Sequence, residues 1–173
     1  MNILILSLSH FLHLLATVVW IGGIVMILFV ILPGAKTALE SPPLQSKLMK
    51  GVAKRFTPMA NISILVLIVT GIAITYREKN FTGLFNFNNP WNVAMFLKHS
   101  FVTLMIIIHF YRGLILTPKI GRLSAQIQSD ELQKSSSLSS KVAKLQKFSL
   151  NLVKTNFVLG LIVLLLTGIL SSL

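Results

Sequence analysis

Four histidines carry the chemical interest of this 173-residue chain: His10, His13, His99 and His109, each in or beside a long apolar run. An ionisable side chain inside a bilayer is costly, so by default it marks an ion, proton or cofactor site. Imidazole is also the commonest metal ligand among side chains. At about 1.5 Å per helical residue, His13 and His99 both lie roughly 12–15 Å from the near ends of their runs, with His10 one turn nearer the surface. Three imidazoles in one layer lead us to expect a metal or haem site. A haem iron takes one ligand from each side of the porphyrin, so His13 and His99 on facing helices are the expected axial pair for haem b. Copper is the alternative, and calls for a compact cluster of imidazole and thioether ligands, drawn from His10, His13, His99 and Met95.

The remaining candidates follow from helical angle and depth. His13, Thr17 and Trp20 fall within about 40° of one stripe, the expected inward face of the first helix. Lys98, Met105 and His109 form a stripe on the third helix, about 100° from His99 and its neighbour Thr103. Lys98 and His10 are placed at the polar edge of the cofactor, which gives an expected cofactor-binding set of His13, His99, Lys98, His10 and Trp20. His109 is about 15 Å further in than His99. It belongs with Trp20, Asn61, Lys154 and Asn156 in an inner polar layer suited to a second cofactor, a quinone, or the satisfaction of buried polarity.

Helices must position these groups. The composition is 54% hydrophobic and 12% charged, with mean hydropathy +0.80, whereas soluble domains run about 25% charged. A span needs roughly 20 apolar residues, and four segments qualify: Ile3–Leu32, Phe56–Tyr76, Trp91–Leu116 and Phe148–Leu173. The expected fold is all-α, a polytopic membrane protein forming one four-helix transmembrane bundle of two tandem hairpins over residues 1–173. Its helices fall at about 3–32, 56–76, 91–118 and 147–172, with basic loops 33–55 and 119–146. The first segment has no basic leader region or small-residue cleavage site and is read as a retained span.

The net charge of +12 is no nucleic-acid footprint, because the cations sit in loops. Lys36, Lys47, Lys50, Lys54 and Arg55 occupy the first loop. Arg112, Lys119, Arg122, Lys134, Lys141, Lys144 and Lys147 mark the third, while the second has only Arg77 and Lys79. The positive-inside rule makes the first and third loops cytoplasmic and both termini external. The expected location is a bacterial or archaeal inner membrane. Asn80, Phe81, Phe85, Phe87 and Trp91 in the second loop match an interfacial aromatic belt. Ser135–Ser140 reads as a flexible break.

Several chemistries are excluded. With no cysteine, c-type haem attachment and iron–sulfur clusters held by this chain are impossible. No Asp or Glu lies in a span, which removes di-iron carboxylate sites. Phosphate loops, nucleophile elbows and zinc-protease motifs are absent. An internal repeat is suggested when His13 is aligned with His99: Thr17 falls on Thr103, Pro33 within one residue of Pro118, and Thr70-Gly71 is echoed by Thr167-Gly168.

His13-Leu14-Leu15-Ala16-Thr17-Val18-Val19-Trp20-Ile21-Gly22-Gly23 resembles the first-helix signature of the bacterial copper-resistance D membrane domain, a His followed seven residues later by Trp and then a small-residue pair. HemJ-type protoporphyrinogen oxidases are similar in that helix. They are similar too at Arg55-Phe56-Thr57-Pro58-Met59-Ala60 and in the run from Trp91 through Lys98 to His109. This second resemblance implies a four-helix bundle binding haem b, with His13 as the haem-linked histidine and Lys98 as the third-helix lysine. The chain lacks the HemJ-type Phe-Ala-Gly and adds His99, which suits a bis-imidazole cytochrome. The leading expectation is a cytochrome b-like carrier passing electrons between a quinol or membrane partner and an outer acceptor. A protoporphyrinogen IX oxidase and a copper transport or binding protein are the alternatives. Little extramembrane mass leads us to expect a homo-oligomer or a subunit of a larger redox complex.

Overall fold

The computed structural model describes residues 3–79, 81–83, 86–129 and 135–172; Asn80, Phe85 and Lys134 lie outside them. The described residues form long helices and no strand: α1 (Ile3–Ala38), α2 (Pro42–Thr75), α3 (Pro90–Ile127) and α4 (Ser137–Ser172), each long and apolar enough to cross a membrane. Large apolar side chains stay exposed on all four, among them Leu14, Ile62, Leu114 and Leu165. A water-soluble monomer rarely leaves so much apolar surface uncovered, whereas hydrocarbon is its natural solvent. The protein is a multi-pass membrane protein.

The helices overrun the spans read from sequence. α2 starts at Pro42 instead of Phe56, because Pro42 and Pro43 occupy its first turn, where a missing N–H costs nothing. The first loop therefore shrinks to the short link after Ala38, and its cations ride on a helix. The serine run is not a break either, for helix extends back through Ser135–Ser140. There Val142 is buried and continues the helical register. α3 likewise continues past Pro118.

Two wide turns interrupt the regular ladders. Ile27–Ile31 in α1 and Tyr111–Leu116 in α3 adopt i→i+5 bonding, with the Leu32 and Thr117 N–H groups donating to the carbonyls of Ile27 and Arg112. Each turn lies just ahead of a proline, Pro33 or Pro118, which cannot donate to the carbonyl four residues back. The wide turns recur where the sequence alignment pairs the two prolines.

The chain divides into two compact units, residues 1–98 with 165–173, and residues 99–164. In the first unit α1 and α2 pair closely as a hairpin, burying Ala16, Trp20, Ile21 and Ile24 of α1 and Ala60, Ser63, Ile64 and Thr70 of α2. Gly23 permits this approach: a Cβ there would overlap the Phe56 ring. Small residues at such crossings are what membrane helices use to bring backbones together. Beyond α2, Phe81 stacks edge-on against Tyr76 and Trp91, with centroids 5.7 and 6.4 Å apart. Asn92 and Asn86 both donate to the Thr82 hydroxyl. In the second unit Met105, His109, Leu116, Val153 and Asn156 are buried.

Candidate metal-binding histidines of the first helix

His13 is half-buried and its Nδ1 lies 2.8 Å from Thr70 Oγ1. The Thr70 hydroxyl donates to the Val66 carbonyl at 2.6 Å. A hydroxyl has a single hydrogen, so the Thr70 oxygen accepts from His13 Nδ1–H. A neutral imidazole protonated at Nδ1 carries its lone pair on Nε2. Metal-ligating histidines are oriented in this way, the far nitrogen donating to an oxygen that fixes ring angle and tautomer. Gly71 lies beside the ring, where an added Cβ would stand in ordinary van der Waals contact, 3.4 Å from His13 Cε1.

His10 reaches the same tautomer by another route. Its Nδ1 sits 3.0 Å from the Leu6 carbonyl, which can only accept, so Nδ1 carries the proton and Nε2 the lone pair. His10 is exposed and one turn from His13. In the neutral form each imidazole therefore carries its lone pair on Nε2, one at the helix surface and one within the α1–α2 hairpin.

The other candidates behave differently. Trp20 is only 2% exposed and forms part of the hairpin core. Lys98 and His99 are half-buried, while Thr103 is exposed. The Thr103 hydroxyl donates to the His99 carbonyl at 2.8 Å, as Thr17 does to His13 at 2.8 Å. Of the two third-helix stripes, the one bearing Met105 and His109 is the more deeply buried, at 1% and 5% exposure. His109 packs edge-on to Phe110 with centroids 5.5 Å apart. Asn156 Nδ2 donates to the Met105 carbonyl at 3.3 Å, while its Oδ1 is buried without a hydrogen-bond partner.

Among the described residues no three His, Cys, Asp or Glu side chains come together as a metal-binding group. His10, turned about 60° from His13, bonds to its own helix. Of the residues expected in the inner polar layer, Trp20, His109 and Asn156 are buried, and Asn61 and Lys154 are exposed. Thr70 is the functional neighbour that sequence reasoning missed. The one sequence signal at that position is the echo of Thr70-Gly71 at Thr167-Gly168.

A family model described as copper resistance protein D matches residues 50–170. The match includes Thr70, Lys98, His99 and His109 and begins after the helix that carries His10 and His13. No curated protein and no solved structure matches.

Proposed function

The chain belongs to the copper resistance protein D family, and we propose that it binds copper as cargo within the membrane, with His13 Nε2 as the principal ligand and His10 as the first point of capture. The observation that carries this reading is the pair of bonds at Thr70, from His13 Nδ1 and to the Val66 carbonyl, which puts the imidazole lone pair on Nε2. Imidazole is a good copper ligand. The ring is orientated before the ion arrives, so little ordering cost falls on binding. His10, exposed and in the same tautomer, offers an equivalent nitrogen one turn nearer the end of α1. Copper taken there has a short step to His13. The positive-inside rule sets that end of α1 outward, because the cations flank its other end at Lys36 and beyond. Copper then approaches from outside.

A second reading rests on His13 itself, an imidazole held by Thr70 across the hairpin. Haem iron needs only one protein ligand on each porphyrin face, and His13 fits as one of them. Bound haem b would supply one-electron transfer, making the protein a membrane electron carrier. In that case His13 holds the iron and Thr70 sets the basicity of its imidazole.

One preparation tests both. The detergent-purified chain is loaded with copper(I), desalted, and assayed for copper and for reduced-minus-oxidised absorption. The copper reading expects about one copper per chain, falling at least tenfold in His13→Leu. Sharp reduced haem bands lost in His13→Leu would instead select the haem reading. A folded preparation holding neither would defeat both.

A further inference from the structure

The second unit bears a shallow, open groove of about 500 Å³ along one face of α3, lined by Leu114, Ile115, Pro118, Lys119, Arg122, Leu123 and Gln126. It opens beside the wide turn Tyr111–Leu116 and Pro118, the two features that most often bend a helix. Its lining is divided along the helix axis. Leu114 and Ile115 are 72% and 55% exposed and end the apolar run, and Lys119 and Arg122 follow as adjacent cations three residues apart. No Asp or Glu lies between Thr117 and Ser129 to balance them.

We propose that this groove holds one anionic phospholipid, its phosphate between Lys119 and Arg122 and an acyl chain along Leu114, Ile115 and Pro118. From Ile115 to Arg122 the helix rises about 10 Å, enough to pass from the hydrocarbon edge into the headgroup layer. The apolar half therefore sits at acyl depth and the cationic half at phosphate depth. The Arg122 guanidinium can engage two phosphate oxygens at once, and Lys119 adds a point charge. An acidic peptide would satisfy the cations but leave the apolar half facing lipid, so the divided lining favours a ligand that is itself divided.

The test uses the purified full chain in detergent, titrated with dioleoyl phosphatidylglycerol or dioleoyl phosphatidylcholine and read by native mass spectrometry. Phosphatidylglycerol is expected to be retained roughly tenfold to thirtyfold more strongly than phosphatidylcholine. Lys119→Gln/Arg122→Gln should abolish that preference. Lys119→Arg/Arg122→Lys should keep it and serves as the folding control, and so should Lys141→Gln/Lys144→Gln, which removes cations outside the groove. Inorganic phosphate at millimolar concentration should not displace the lipid. Equal retention of the two lipids would overturn the proposal. So would an unchanged preference in the glutamine pair, loss of preference in the Lys141/Lys144 variant, or displacement by phosphate alone.

Discussion

His13 and His99 begin from the same local device: each carbonyl accepts a bond at 2.8 Å from the threonine hydroxyl four residues on. Each histidine also lies upstream of a wide turn and a proline in its own helix. The surroundings separate them. Thr17 is half-buried and Thr103 exposed. His13 meets Thr70 and Gly71 across the hairpin, whereas a Cβ on the echoing Gly168 would meet no described atom within 4 Å. A repeated local motif is thus kept in both halves at different depths of burial.

The largest expected effect tests that asymmetry directly. His13→Leu should lower copper retention by at least tenfold, and His99→Leu by clearly less, measured as metal per chain after desalting. Equal losses would mean the two halves contribute alike and the comparison fails. Next comes the orienting group. Thr70→Val removes the acceptor of His13 Nδ1–H and should weaken copper binding about 10–100-fold, in line with other second-layer partners. Thr70→Ser should restore it, which a purely packing role for Thr70 would not require.

The glycines sharpen the comparison further. Gly71→Leu drives a side chain into the His13 ring and should cost copper affinity, while Gly168→Leu should leave it unchanged in the same titration. Gly23→Ala clashes with Phe56 and should destabilise the hairpin by about 1–3 kcal/mol, read by denaturant unfolding in detergent micelles. Gly22→Ala, where a Cβ meets nothing within 4 Å, should be neutral or slightly stabilising, because alanine favours helix over glycine. The smallest expected effect is His10→Ala, a slowing of copper uptake with little change in the amount finally bound.

Much of the architecture was legible because its signals are local. Long apolar runs give the four helices, and the stripe of His13, Thr17 and Trp20 correctly marked the packed face of α1. The expected loop 33–55 proved mostly helical, since proline serves both in loops and in the first turn of a helix, and the sequence around Pro42-Pro43 does not say which. The serine run misled for a related reason: weak helix formers yield when a buried Val142 beyond them holds the register. On α3 two stripes competed, and periodicity could not choose between them. Burial chose the one with Met105 and His109.

What the sequence determined by itself was the solvent and the menu of ligands. Its hydropathy demands a bilayer, its charges crowd the stretches between apolar runs, and without cysteine or a carboxylate in any span imidazole and thioether are the main metal ligands left. Tertiary structure decided how His13 is oriented and in which tautomer. His13 and Thr70 stand 57 residues apart, and the hydrogen that fixes the tautomer depends on the Thr70 hydroxyl being committed to Val66. No local propensity encodes a bond that exists only once α1 and α2 have closed on each other at Gly23.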